Sequence, residues 1–302
     1  MNRIDLHIHS IFSNDGTYAP EELVRMCGEA GIRVMAVADH NSVKACLPAM
    51  EAAKEAGITC VPALEIDCTY RAPSGQKGTD LHVLGYGIDP LYPGLARLEE
   101  ELAEQERASS RPRLEIMKEM GLKIDEEKAY GLAHYGYVTG EVIAETALAD
   151  PRNDGHPMLE PYRPGGSRSD NPYVNFYWDW CAPDKPAYVP IAFISLEECL
   201  ELIHSAGGTP VLAHPGNNVK EDGALLDEIL SCGVRGIEVY STYHSREQED
   251  YYRKKADEHS LLITCGSDYH GKTKPSIFLG KMELREDEER ILAGMKGLGY
   301  VQ

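Results

Sequence analysis

Nine side chains of metal-binding type stand at the ends of short apolar runs or just beyond them: His7, His9, Asp15, His40, Glu65, His82, His214, Asp268 and His270. In a strand, alternate side chains point to the same face, so His7-Ile8-His9 projects two imidazoles together. Asp268-Tyr269-His270 repeats the spacing with one carboxylate and one imidazole. Mixed imidazole and carboxylate donors suit Zn, Mn or Fe, whereas a thiolate site would need cysteines grouped among them. Taken singly, His214 before Pro215 reads better as a helix cap or turn residue than as a ligand, and Glu65 reads as half of a salt bridge. Taken together, so many ionisable groups could be buried in one place only at high cost unless a cation compensates them. The set is therefore predicted to hold divalent metal ions.

The elements that must position these residues form a regular rhythm. Apolar runs at residues 33–38, 58–64 and 81–86 alternate early in the chain with helical patterns at 20–30 and 43–56. Pro20 suits a first helical turn, and Gly31 and Gly57 suit helix ends. The rhythm returns with helical patterns at 196–206, 225–230 and 248–258 and apolar runs at 210–213, 236–239 and 261–265. Short apolar runs alternating with amphipathic helices predict parallel strands covered by helices, about seven strands in all. An open doubly wound sheet is the competing arrangement. A barrel is favoured because metal-type residues follow several different strands, and barrel sites are assembled from many strand ends.

The middle of the chain departs from this pattern. Residues 91–121 read as one long charged helix, 150–166 as a Pro/Gly/Asp-rich loop, and 171–180 as an unusually aromatic stretch. Residues 98–190 are predicted to form an inserted cap over the barrel mouth, with 1–97 and 191–302 making the barrel domain.

Composition narrows the function. The net charge of −19 over 302 residues repels polyanions and argues against a nucleic-acid polymer as partner, while bound metal ions could still reverse the local sign for a small phosphate. None of the eight cysteines forms a CxxC pair, which suggests free thiols in a reducing compartment. With no signal-like segment and no membrane-length apolar run, a cytoplasmic protein without a membrane partner is expected.

Asp5-Leu-His7-Ile-His9-Ser10, Ala38-Asp39-His40, Glu65, Ala213-His214-Pro215 and Gly266-Ser267-Asp268-Tyr-His270-Gly271 together resemble the motifs of the polymerase and histidinol phosphatase (PHP) family. The resemblance implies a distorted seven-stranded TIM-like (β/α) barrel and up to three divalent metal ions, Mn, Fe or Zn. It implies one metal on His7, His9, Asp268 and a bridging Glu65, a second on Glu65, His82 and His214, and a third on Asp15, His40 and His270. Freestanding relatives with an insertion after the fourth strand match this chain best, and they are phosphatases of nucleotides or other small molecules. Where such relatives often carry Arg two residues before His134, this chain has Leu132.

The expected activity is hydrolysis of a small phosphomonoester by a metal-bridging hydroxide, with Glu65 and Asp268 at the reacting centre. The substrate expected first is a 5′-nucleotide or a nucleoside 3′,5′-bisphosphate. Histidinol phosphate, a sugar phosphate, an amide or lactone cleaved by an amidohydrolase-like enzyme, and a non-catalytic metal-binding role are the alternatives. His244, after the run at 236–239, is a candidate acid for the leaving group and a candidate phosphate contact. Lys274, Arg111 and His134 are further candidate phosphate contacts. Trp178 and Trp180 are read first as packing for the cap and second as a stacking surface for a base. The sequence leaves the oligomeric state open.

Overall fold

Ile4, Asp5, Leu6, His7 and Ile8 are all buried in the first strand, β1 (Ile4–Ile8), as a strand enclosed on both faces requires. The computed structural model describes residues 3–72, 78–133, 135–285 and 287–300. From β1 the chain passes through α1 (Pro20–Glu29), β2 (Val34–Val37), α2 (Cys46–Ala56) and β3 (Thr59–Cys60). These three strands form a parallel sheet in the order β1-β2-β3. Leu23, Val24 and Cys27 of α1 and Ala49 and Ala53 of α2 pack on Ile8, Met35 and Val37. Gly57 ends α2 in the left-handed region at φ 67°, a conformation that glycine adopts without steric cost.

The second sheet contains β4 (Ala63–Tyr70), β5 (Thr79–Tyr86), β6 (Ile194–Ser195), β7 (Thr209–Leu212), β8 (Gly236–Ser241) and β9 (Leu262–Gly266), in the order β6-β4-β5-β7-β8-β9. Strand β5 runs antiparallel to both β4 and β7, and the remaining pairs are parallel. Between these strands and beyond them lie α3 (Pro93–Glu119), α4 (Glu126–Leu132), α5 (Gly140–Leu148), α6 (Pro172–Phe176), α7 (Leu196–Ser205), α8 (Pro215–Asn218), α9 (Gly223–Ser231), α10 (Arg246–Glu258) and α11 (Glu288–Gly297).

Three expectations are corrected here. The described strands number nine rather than seven, two of them only two residues long. They form two parallel-rich sheets rather than one closed barrel. Glu65 does not end a strand, because β4 continues to Tyr70, and its partner β5 returns antiparallel with Asp67 opposite His82. His82 thus reaches the site from the middle of an antiparallel strand, whereas His214, Asp268 and His270 follow the ends of β7 and β9.

The two sheets meet at two seams made of single bridges, Ile8 with Tyr269 and His40 with Glu65. Backbone bonds flank both seams: Asp268 N–H donates to His7 O (2.8 Å), His9 N–H to Tyr269 O (2.9 Å), and Asn41 N–H to Glu65 O (2.7 Å). Gly266 permits the first seam, since a Cβ there would lie 2.0 Å from His7 Cβ.

The long helix expected at 91–121 is α3, and it crosses residue 98 without a break. Its Leu95, Leu98 and Leu102 join the main core. Its Leu114 and Met117 join a separate cluster with Ile143, Leu159, Phe176 and Ala187. The segment read as loop at 150–166 contains two 3-10 turns, Pro151–Asn153 and Glu160–Tyr162. The aromatic stretch folds as α6 followed by a π-helical turn, Tyr177–Cys181. All eight cysteines are free thiols, and no helix among the described residues is long and apolar enough to cross a membrane.

Candidate metal centre

The nine ligand-type residues converge where the two seams lie. Groups whose ligand atoms all fall within 4.8 Å of one another are His7, His9, Glu65 and Asp268; Glu65, His82 and His214; and His9, Asp15, His40 and His270. These match the three expected sets, with His9 added to the third. Two residues that the sequence reading missed also take part: Asp67 groups with His40 and His82, and Glu238 with His7 and His214.

Tautomers follow from the fixed acceptors. His7 Nδ1 lies 3.0 Å from Glu238 Oε1, so it carries the proton and leaves Nε2 bare. His270 Nδ1 donates to Asp268 O (2.8 Å). His9 Nδ1 lies 2.8 Å from Ser13 Oγ, which itself donates to Asp39 Oδ1 (3.0 Å), so the hydroxyl accepts from the imidazole. Asp39 also accepts from Ser10 N–H and Ser10 Oγ, both at 2.6 Å. Burial pushes the Asp39 carboxyl up to about 6, against these bonds. Such outer partners fix the ring orientation of metal-binding histidines.

The donor set passes a direct test for metal. His7 Nε2, His9 Nε2, Asp15 Oδ1, His40 Nδ1, Glu65 Oε2, His214 Nδ1 and His270 Nε2 are buried with no hydrogen-bond partner among the described residues. Polar atoms so enclosed are costly unless something binds them. Two atoms each ~2.0–2.2 Å from one ion lie about 3.0–3.5 Å apart. The separations observed are 3.1 and 3.4 Å from His7 Nε2 to Glu65 Oε2 and Asp268 Oδ1, 3.3 and 3.0 Å from His9 Nε2 to the same two atoms, and 3.1 Å from His270 Nε2 to Asp15 Oδ2. Two of these residues also sit in strained backbone, His214 at φ 21° and Asp268 at φ 56°, as groups held for function often do.

Above the centre lies a cleft of about 220 Å³. Asp15, His40, Asp67 and His82 form its floor, and Val174, Tyr177, Trp178, Val189 and Phe193 form an apolar wall. Trp178 is 49% exposed. Lys274 reaches the cleft and binds Asp268 Oδ2 (2.6 Å) and Tyr243 Oη (2.9 Å); Tyr243 also donates to Asp268.

The remaining expected contacts fall elsewhere. The Arg111 side chain is 68% exposed beside Glu115 and Glu126, because it sits on the outer face of α3. Arg113, two positions on, is 5% exposed and lines the cleft. Its Nη1 donates to Val138 O (2.6 Å), both Nη atoms lie 3.4 Å from Glu106 Oε2, and its Nε has no hydrogen-bond partner among the described residues. The face made by Leu102, Glu106, Ser109, Arg113 and Met117, at steps of three and four, carried the signal for it. His244 is not an available acid. Gly216 N–H donates to its Nε2 (3.1 Å), and its Nδ1 bonds Val239 O (2.8 Å), which fixes a neutral ring tied to backbone at both nitrogens. Burial lowers its pKa accordingly. His134 lies outside the described residues.

Comparisons with known proteins bear on the family. The PHP domain model matches residues 5–147. A 3′,5′-nucleoside bisphosphate phosphatase from Chromobacterium violaceum is 30% identical over 97% of this chain and 99% of its own. A phosphoribosyl 1,2-cyclic phosphate 1,2-diphosphodiesterase from Eggerthella lenta is 28% identical over 89% of this chain and 94% of its own. A crystal structure from Bifidobacterium adolescentis, described as that of a metal-dependent phosphoesterase, superposes with a TM-score of 0.73 at 25% identity, over 96% of each chain. A 5′-3′ exoribonuclease from Escherichia coli is also similar, at 28% identity over 92% of this chain and 88% of its own. Relatives thus include enzymes named for RNA as well as for small esters, so ancestry does not exclude a polymer as the charge argument did. With similarity running the length of both chains and the family's motifs gathered at one metal-type centre, this chain belongs to the PHP family of metal-dependent phosphoesterases.

Proposed function

We propose that this chain hydrolyses a small phosphomonoester, a nucleotide being the substrate class that fits best. The observation that carries the reading is the convergence of unpartnered buried ligand atoms beneath a cleft with an apolar wall and two cations, Arg113 and Lys274. His7, His9, Glu65 and Asp268 would hold one ion, Glu65, His82 and His214 a second, and Asp15, His40 and His270 a third, with Mn, Fe and Zn all compatible. Divalent ions bound there supply Lewis acidity and a nucleophile at neutral pH.

The chain's own groups do the rest. Glu238, Ser13 and the Asp268 carbonyl keep the imidazoles aimed inward. Lys274 and Tyr243 orient Asp268. Arg113 offers a guanidinium edge to an anionic oxygen. The wall from Val174 to Trp178 receives the flat, apolar part of the leaving group and excludes water from it. The cleft also presents Asp80, Glu106 and Glu141, which disfavours a long polyanion and favours a small ester. Two structural readings belong with the proposal. Residues 98–190 act as a cap, supported by the separate core that Leu114 to Ala187 contribute. The two sheets correspond to two parts of one distorted TIM-like barrel, supported by the bridges at both seams.

The test is phosphate release by Mn²⁺-loaded protein from AMP, adenosine 3′,5′-bisphosphate, a ribose cyclic phosphate, histidinol phosphate, ribose 5-phosphate and a 5′-phosphorylated RNA oligomer. Preferred turnover of a mononucleotide, abolished by a chelator, is the expected result. Faster release of nucleotides from the oligomer, or no turnover of any ester by metal-replete protein, would overturn it.

A further inference from the structure

Asp67 stands two residues beyond Glu65 on β4, so both side chains leave the same face of the strand. Neither the His-x-His and Asp-x-His pairs nor the family motifs include it. Its Oδ1 is buried with no hydrogen-bond partner among the described residues, 3.4 Å from His40 Nδ1 and 3.3 Å from His82 Nε2. The other half of the carboxylate is clamped. Asn41 Nδ2 donates to Asp67 Oδ2 (2.7 Å), and Asp67 N–H donates to Asn41 Oδ1 (3.0 Å). Asn41 is held for this in the left-handed region, at φ 55°, which asparagine tolerates better than most residues.

The clamp leaves one oxygen aimed at two imidazoles that face different parts of the centre. With the second ion on His82 Nδ1 and Glu65 Oε1, which lie 3.0 Å apart, His82 Nε2 would carry the proton and face Asp67 Oδ1 at 3.3 Å. His40 Nδ1 makes no hydrogen bond among the described residues, and it lies 3.3 Å from Glu65 Oε2 and 3.4 Å from Asp67 Oδ1, the distances of donors sharing an ion.

We infer that Asp67 is a further metal ligand of this chain, binding through Oδ1 the ion that His40 holds, with His82 Nε2 3.3 Å from the same oxygen. It thereby ties the ion of the His40 group to that of the Glu65–His82–His214 group. The inference rests on the metal-centre reading above, and the test separates the two.

Metal-free wild type, D67N, D67S and E65Q are titrated with Mn²⁺ and with Co²⁺, reading equivalents bound, affinity and the Co²⁺ visible spectrum. Folding of each variant is checked by circular dichroism, and two substitutions are used so that a fold defect in one does not decide the matter. Both Asp67 variants are expected to lose one equivalent, or to bind one class of site at least about tenfold more weakly, with an altered Co²⁺ spectrum. Wild-type equivalents, affinity and spectrum in either folded Asp67 variant would overturn the inference. Wild-type binding in E65Q would overturn the metal-centre reading itself. A loss confined to the Asp67 variants' metal, with no ester turned over even by wild type, would uphold the ligand and remove only the substrate assignment.

Discussion

His7, His9 and His270 each have one ring nitrogen committed to a group outside the metal-facing side, and the quality of that commitment sets how well the other nitrogen is aimed. Glu238 illustrates this, because it holds His7 Nδ1 at 3.0 Å through one oxygen and the His214 N–H at 2.9 Å through the other. Glu238→Gln keeps the shape but places an amide N–H₂ against one of two donors. Metal affinity is expected to fall about 10–100-fold, as read by competition with a chromophoric chelator. An unchanged affinity would mean that His7 is oriented by packing alone. Arg113 belongs to the same scale. A charge-assisted hydrogen bond contributes about 1.5–3 kcal/mol, so Arg113→Ala is expected to raise KM for the ester by roughly 10–150-fold. Arg111→Ala, on the outer face of α3, should leave KM alone. Equal effects of the two would remove Arg113 from the substrate contacts.

At the scale of elements, the close approach of β9 to β1 decides whether the first ligand group forms. An alanine Cβ at Gly266 would sit 2.0 Å from His7 Cβ and 2.5 Å from Glu238 Oε1, and neither is the end of a loose side chain. Gly266→Ala is expected to cost about 1–3 kcal/mol or more, with loss of metal, measured by denaturant titration and metal analysis. A variant of wild-type stability that kept its metal would show that the seam can open. His244 acts on elements too, since it ties the end of β8 to the turn that starts α8. His244→Ala should cost about 1–3 kcal/mol of stability and leave kcat unchanged on an ester with a poor leaving group. A large fall in kcat would restore the acid role. The sequence displayed helices α1, α2, α7 and α10 through their caps and periodicity, and it displayed His7, His9, Asp268 and His270 through period-two spacing. It hid whatever depends on pairing. That β5 turns back along β4 is a matter of tertiary register, and with it went Asp67, which lies opposite His82. Glu238 lay inside an apolar strand pattern with nothing to mark it, and Arg113 was masked by the neighbouring charges of α3.

For the whole molecule, the centre draws on both sheets. His7, His9 and His40 come from β1 and the segment after β2, Glu65 and His82 from β4 and β5, and His214, Asp268 and His270 from the segments after β7 and β9. Ions bound to such a set cross-link the sheets at the two seams, where the backbone itself supplies only isolated bridges. Binding to the folded state alone stabilises it by about 4 kcal/mol per site at a thousandfold excess over Kd. Removing the ions leaves Asp15, Glu65 and the imidazoles of His7, His9, His40, His214 and His270 with buried atoms that lack partners. Chelation should therefore lower Tm, and it should do so unevenly. Hydrogen exchange is expected to quicken at the seam amides, His9, Asn41 and Asp268, by orders of magnitude. Amides in the separate core around Ile143 and Phe176, which contributes none of the nine ligand-type residues, should change little. Uniform quickening would mean that the ions stabilise one cooperative unit, and no change at the seams would mean that the sheets hold together without them.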